Sequence, residues 1–405
     1  MSDACTMDLD VEGLRADTPG CGGGLIHLNN AGAGLMPRPV LESVQAHLTR
    51  EATIGGYEAF NLAKDQAESL YAGAAKLIGG KPNEIAYLEN ATRAWDAVFY
   101  AFDWQPGDTV VTARSEYNSN MIAFRHAEKR HGIRVLLAPD TPDGAVDPAG
   151  LEALLDDSVK LICLSHMPTN DGLVNPAEAV GAVAAKHGIP YLLDACQSVG
   201  HYPVDVAKTG CTMLSTTGRK FLRGPRGTGF LWVREDWIGK LDPPFLDNRA
   251  AQWTEIDGYE VWDTARRFEN WESFVAGRIG LGVALDYANM LGPQAIWNRV
   301  TALAKRMRAG LGAIPGITVH DRGTVKSAIV TFSHKEVATT EIVNRLRLEH
   351  RINTSASDVQ LTRTDTLDTG IKAMVRASPH VYNTEDEIDT LLNAVAGIVQ
   401  VRKEA

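Results

Sequence analysis

Short apolar runs without polar alternation mark the first two-thirds of the chain: Asp108–Ala113, Arg134–Ala138, Val159–Ser165, Tyr191–Asp194, Met213–Thr216 and Gly229–Val233. A strand exposed on one face alternates apolar with polar residues, whereas one buried on both faces does not. These runs predict strands covered on both sides. Between them lie stretches of helical spacing, Asn118–His131, Pro148–Asp156 and Pro176–His187. Gly132 and Gly188 follow two of them, where a helix commonly ends in the left-handed conformation. Strands alternating with helices predict an α/β layer around a mostly parallel sheet.

The texture changes after about residue 285. One helical stretch over 274–311 leads to Pro315–Gly316. Short strands follow at Ile317–Val319 and Ser327–Phe332, with helices at Thr339–Glu349 and Thr384–Val399. The expected organisation is an N-terminal arm over 1–24, a large domain over 25–285 and a smaller C-terminal α+β domain over 286–405. The arm is Gly-rich at Gly20, Gly22, Gly23 and Gly24, a composition compatible with partial disorder.

Composition narrows the function classes. The 405 residues carry 40 Lys plus Arg against 50 Asp plus Glu, a net charge of −10. That balance argues against a nucleic-acid surface, which needs clustered cations. At 44% hydrophobic and 22% charged the chain can build real cores, so disorder is excluded. The cysteines, Cys5, Cys21, Cys163, Cys196 and Cys211, are odd in number and lack metal-ligand spacing. Reduced thiols, no metal site and a cytoplasmic location are expected. The acidic N-terminus has no apolar signal core, and no run of about 18 apolar residues predicts a membrane span.

The candidate chemistry concentrates between Tyr191 and Val233. One apolar strand ends in Asp194, and a second runs into Thr216, Thr217, Gly218, Arg219 and Lys220. Ligands of open α/β sheets bind at such strand ends. A carboxylate, two hydroxyls, an Arg and a Lys thus meet near one rim.

Six ordered motifs then carry a resemblance over about residues 26–400. They are HLNNAG (27–32), ENAT (89–92), SEYNSN (115–120), DACQ (194–197), TTGRK (216–220) and VRASPHVYNTEDEID (375–389). The chain resembles the pyridoxal 5′-phosphate (PLP) enzymes of fold type I, in the class V aminotransferase and cysteine desulfurase group. Within it, the chain is most similar in look to isopenicillin N epimerase-like proteins and to the C–S lyases of lincosamide and ergothioneine biosynthesis. The resemblance implies a large domain with a mostly parallel seven-stranded sheet and a smaller C-terminal α+β domain.

It also implies roles. Lys220 is the lysine that carries the cofactor through its amine and later moves the Cα proton. Asp194 keeps the pyridine nitrogen protonated, so that the ring can accept charge. Gln197 bonds the 3′-oxygen, and Tyr117 stacks on the ring where desulfurases commonly have His. Backbone N–H groups near Ala91 and Thr92, at a helix start, hold the phosphate with Thr217 and Arg219. Arg219 stands where relatives often have His; its guanidinium suits phosphate equally well. Arg376 takes the substrate carboxylate, helped by Asn30. A segment like RFENWES (267–273) reaches the partner's phosphate in relatives, which implies a homodimer; here the residues after Glu269 depart from the pattern.

Other residues read as structural. His166 and His201 lie near strand ends, where packed, hydrogen-bonded histidines are common. Cys196 reads as a buried inert thiol. Thr169, followed by Asn170, falls where relatives place an Asn on the 3′-oxygen. The aromatic loop over 245–262 suits either a substrate pocket or subunit packing.

Desulfurases need a mobile nucleophilic Cys shortly before the carboxylate Arg. The corresponding stretch over 353–373 has none, and no Cys follows Cys211. The expected reaction is therefore C–S β-elimination from a cysteine S-conjugate, giving thiol, pyruvate and ammonia. Decarboxylating oxidative deamination, transamination and epimerisation are the alternatives.

Overall fold

Seven strands form the central sheet of the computed structural model, which describes residues 9–366 and 370–400. Residues 1–8 of the arm, with Cys5, and residues 367–369 lie outside the described residues. The strands are β1 (Ile85–Leu88), β2 (Thr109–Thr112), β3 (Arg134–Leu137), β4 (Val159–Ser165), β5 (Tyr191–Asp194), β6 (Met213–Thr217) and β7 (Gly229–Val233). Their order is β1-β7-β6-β5-β4-β2-β3. Every pairing from β6 out to β3 is parallel, and β7 runs antiparallel to both its neighbours.

The unalternated apolar runs have the cause inferred for them. Consecutive residues of each strand point into two different cores. Val111, Ile162, Leu193 and Leu214 enter one; Val110, Leu161, Leu192 and Met213 enter the other. Six helices help to cover the two faces: α1 (Arg38–Ile54), α2 (Gly56–Ile78), α3 (Ala91–Phe99), α4 (Asn118–His131), α5 (Ala177–His187) and α6 (Val275–Leu291). Leu70 of α2, Val180 of α5 and Leu285 of α6 fill the first core. Trp95 and Phe99 of α3 and Phe124 of α4 fill the second. Fully burying such side chains contributes roughly 1.5–3 kcal/mol each.

The aromatic loop folds outward as a hairpin, β8 (Ala251–Glu255) with β9 (Gly258–Val261). Trp253, Ile256 and Tyr259 on it are exposed.

The single helical stretch expected over 274–311 is two helices. The chain turns at Gly292 with φ 82°, and α7 (Pro293–Gly312) starts on proline, whose missing N–H costs nothing in the first turn. α6 packs on α1 and α2, whereas α7 packs on the C-terminal helix. The packing partner therefore changes at Gly292; the sequence drew the division at 285/286, inside α6. Beyond it come α8 (Thr339–His350) and α9 (Glu385–Gln400). They accompany an antiparallel sheet of β10 (Ile317–Val319), β11 (Val330–His334), β12 (Ser355–Asp358) and β13 (Ala373–Ala377), in the order β10-β11-β13-β12.

The described part of the arm is folded against this C-terminal unit. Its short helix buries Leu14, and Arg15 pairs with Glu387 of α9 at 2.7 Å. The Gly-rich segment forms a tight 3-10 turn over Pro19–Gly23.

Candidate active site

The C-terminal ends of β4, β5 and β6 open onto a cavity of about 430 Å³. Ala91, Thr92, Tyr117, Asp194, Gln197, Thr217, Arg219 and Lys220 all line it. Each comes from the end of a strand or the start of a helix, as open α/β sheets dictate.

Helix α3 begins at one end of the cavity. Asn90 caps it, its side chain accepting from the Arg93 N–H at 2.9 Å. The sequence placed the helix start at Thr92; the cap makes Ala91 the first helical residue. The N–H groups of Ala91 and Thr92 have no acceptor within the helix and lie at its positive end, an arrangement that suits an anion. Gly229 permits the approach of β7 beneath this turn: a Cβ there would sit 2.5 Å from the Thr216 carbonyl oxygen.

Asp194 lies buried at the end of β5. One oxygen accepts from the Cys196 N–H at 2.9 Å and the other from Asn120 Nδ2 at 3.0 Å. Burial pushes its carboxyl above the usual range. Burial likewise pulls the Lys220 amine below its usual value. Cys196 lines the same cavity, and burial pushes its thiol up, so it is protonated there.

The 27–34 segment is pressed onto the Lys220 loop. Arg219 donates to the Gly32 carbonyl, and the Gly34 N–H donates to the Arg219 carbonyl at 2.8 Å. A Cβ on Gly34 would stand 2.5 Å from the Lys220 carbonyl, so only glycine fits. Arg219 lines the cavity while one of its nitrogens is spent on this contact. Thr217 likewise donates to the Thr228 carbonyl at 3.3 Å. Gln197 donates from Nε2 to the Ala31 carbonyl at 3.2 Å, and its buried Oε1 has no partner among the described residues.

Two expected site residues stand apart. Arg376, on β13, reaches the cavity edge through Thr169, donating to its hydroxyl at 2.6 Å and its carbonyl at 3.1 Å. Its buried Nε has no partner among the described residues, and burial pulls the guanidinium down to about 10. Asn30 is spent inside the protein. Its Nδ2 donates to the Ser378 carbonyl at 2.8 Å, and its Oδ1 accepts from the Tyr382 hydroxyl at 2.5 Å. Of the pair Thr169 and Asn170, Thr169 lines the cavity. The Asn170 side chain turns away to Ser357 and to the Asp358 carbonyl.

The histidines are packed, as their setting implied. His201 accepts at Nε2 from the Ala328 N–H at 3.0 Å, so its Nδ1 carries the proton and donates to the Gln197 carbonyl at 3.0 Å. Its ring stacks on Phe221 at 3.9 Å. Burial lowers it to about 3 and His166 to about 4, so both are neutral. The hairpin aromatics Trp253 and Tyr259 do not line this cavity. Glu269 is buried and accepts from the Tyr71 hydroxyl at 2.6 Å, while Trp271 beyond it is exposed.

Sequence reasoning missed the layer beneath Asp194. Asn120 and Ser165 line the cavity, and Glu116 lies fully buried behind them. SEYNSN contained two of the three, with Tyr117 drawing attention from Glu116. A charged residue four positions after a buried apolar strand was the available signal.

The cavity therefore combines an amine, a buried carboxylate, a helix start with open N–H groups and an unpaired amide oxygen. That set fits PLP, which carries an aldehyde, a ring nitrogen, a phosphate and a 3′-hydroxyl. Comparison with known proteins agrees. The aminotransferase class-V model matches residues 26–391. A "probable cysteine desulfurase" of Methanothermobacter thermautotrophicus is 28% identical across 92% of this chain and 95% of that protein. A cysteine desulfurase of Pectobacterium atrosepticum is 26% identical across 98% and 99%. The solved cysteine desulfurase of Thermococcus onnurineus NA1 has the same fold, with a TM-score of 0.88 at 24% identity, covering 96% of this chain and 98% of that one. The cystine C–S lyase C-DES, solved with its product cysteine persulfide, gives 0.83 at 24% identity, covering 94% and 99%. By its fold, its cavity and the match along nearly its whole length, the chain belongs to the aminotransferase class-V family of PLP-dependent enzymes.

Proposed function

We propose that this enzyme is a C–S β-lyase that splits a cysteine S-conjugate into a thiol, pyruvate and ammonia. The observation that carries the reading is a Lys220-centred cavity combined with the lack of any cysteine after Cys211. A desulfurase mechanism needs a thiolate on the segment before Arg376. Among the described residues the only cysteine that lines the cavity is Cys196, and burial keeps it protonated. Elimination needs no protein thiol. Overall, the Cα–H and Cβ–S bonds break, the thiol leaves with a proton, and water converts the remaining fragment to pyruvate and ammonium.

PLP, when bound, supplies an electron sink for the charge left as the Cα proton departs. Lys220 would hold the cofactor covalently and would take that proton at Nζ. Its lowered proton affinity favours the free amine that acts as base. Asp194 would pair with the ring nitrogen, Gln197 with the 3′-hydroxyl, and Tyr117 would pack against the ring. The N–H groups of Ala91 and Thr92, with Thr217 and Arg219, would hold the phosphate. Arg376 binds the substrate carboxylate through its unpaired Nε. The bonds of Asn30 to Ser378 and Tyr382 support a role in shaping that region rather than touching substrate. The exposed Trp253 and Tyr259 support a homodimer in which a second copy covers the hairpin.

Mass spectrometry of products from a panel of S-substituted L-cysteines tests the reading. Pyruvate with free thiol is the expected result. A keto acid keeping the carbon skeleton would mean transamination, an aldehyde with carbon dioxide decarboxylation, and inverted Cα an epimerase.

A further inference from the structure

Behind Asp194 lies a second carboxylate. Glu116 has no exposed surface. It accepts four hydrogen bonds: from Thr112 Oγ1 at 2.9 Å, the Tyr117 N–H at 2.8 Å, Asn120 Nδ2 at 2.8 Å, and Ser165 Oγ. An ionised carboxylate is acceptor-only, so four converging donors match the charged form.

Asn120 joins the two acids. Its single Nδ2 group donates to Glu116 Oε1 at 2.8 Å and to Asp194 Oδ2 at 3.0 Å. The two amide hydrogens are thereby both used. A flipped amide would aim its oxygen at two carboxylates, so the bridge has one stable orientation. Asp194 has its other oxygen on the Cys196 N–H at 2.9 Å. The carboxylate is thus gripped from behind and from one side, and its remaining lone pairs are left for the cavity.

We propose that Glu116 is a positioning residue for the cofactor. Acting through Asn120, it fixes the plane of the Asp194 carboxylate, and its buried negative charge strengthens the hold of Asp194 on the proton of the ring nitrogen. The proposal rests on the reading that Asp194 faces that nitrogen. Charge supports the geometry. Like-charge interaction between the two acids raises the proton affinity of Glu116, after burial as the larger cause. The same interaction acts on Asp194 in return. The other ionisable groups around Asp194 are Lys220, Cys196 and Tyr117, all on the cavity side. Glu116 is the one carboxylate on the opposite side among the described residues that interact with it.

The test is nitrogen-15 NMR of holoenzyme reconstituted with PLP labelled at the ring nitrogen, recorded across pH. Glu116→Gln is nearly isosteric. Its amide oxygen can accept the three bonds now made to Oε1, and its NH2 can donate to Thr112. In this variant the ring nitrogen should lose its proton about one pH unit lower than in the wild type. Asn120→Ala cuts the bridge while leaving the Glu116 charge in place; it frees the Asp194 carboxylate to turn and should shift the titration in the same direction by a smaller amount, because the lost donor also raises the proton affinity of Asp194. It keeps the proposal testable should Glu116→Gln not fold. Asp194→Ala should produce a larger shift. If Asp194→Ala moves the signal but Glu116→Gln and Asn120→Ala leave it at the wild-type position, the positioning role is wrong. If Asp194→Ala also leaves it unmoved, the reading of Asp194 itself fails.

Discussion

The two walls of the cavity are finished to different degrees. On the strand-end wall, both Asp194 oxygens, the Asn120 amide hydrogens and both Glu116 oxygens have partners, and among the described lining residues only Gln197 Oε1 is a buried side-chain atom left without one. On the C-terminal antiparallel sheet, which meets the cavity edge through the bonds of Arg376 to Thr169, buried donors stand idle. Arg376 Nε has no partner among the described residues, and neither has the hydroxyl of Ser355, which lies opposite Arg376 in the β12–β13 register. An unbonded buried polar group costs about 1–3 kcal/mol, so it marks a place where a ligand supplies the missing partner. The first wall is built for something always present. The second waits for something that comes and goes, which is the division expected between cofactor and substrate.

Breaking the first wall should have the larger effects. Lys220→Ala removes the group that serves both walls, and steady-state assays should show turnover reduced by about 10³-fold or more. Retained lyase activity in that variant would sink the mechanism. Next in size, Asp194→Ala should weaken PLP binding by about 10²-fold, since breaking a buried charge pair costs roughly 2–5 kcal/mol. Absorbance titration of the cofactor-free protein measures this.

The second wall should respond in KM. Arg376→Lys keeps the charge but loses the planar fork, and KM should rise about 10-fold to 100-fold while PLP affinity is unchanged. An equal loss of PLP affinity would erase the distinction between the walls. The smallest effect on catalysis is expected at Asn30. Asn30→Ala takes the acceptor from the Tyr382 hydroxyl and one of two donors from the Ser378 carbonyl, costing about 1–3 kcal/mol of stability with little change in KM. A raised KM at an unaltered melting temperature would return Asn30 to the substrate.

The strand-end wall was the more legible in the sequence, for a physical reason. Asp194 and Lys220 each follow a buried apolar strand, and both the strand and its polar end can be read locally. The strands Val159–Ser165, Tyr191–Asp194 and Gly229–Val233 match their expected bounds. The helix end at Gly132 takes φ 70°, as its position implied. The short β1 carries too little pattern to stand out. The break at Gly292 was hidden because Gly-Pro there joins two helices instead of ending one. The idle hydroxyl of Ser355 was not readable, since it depends on the register of two strands that lie apart in the sequence. Asn30 sits in a matching motif, yet its amide is consumed by residues 348 and 352 positions away. Long-range bonds of this kind leave no local trace. Glu116 was concealed by the aromatic beside it.

The claim that carbon–sulfur cleavage here proceeds by elimination, without a protein thiol, is tested most directly by one ratio. Purified holoenzyme would be given L-cysteine and L-cystine in turn, and pyruvate and alanine would be quantified. Elimination gives pyruvate with equimolar ammonia and almost no alanine, undiminished when Cys196 is replaced by Ala. Alanine as the main product, together with persulfide on a protein cysteine, would contradict it.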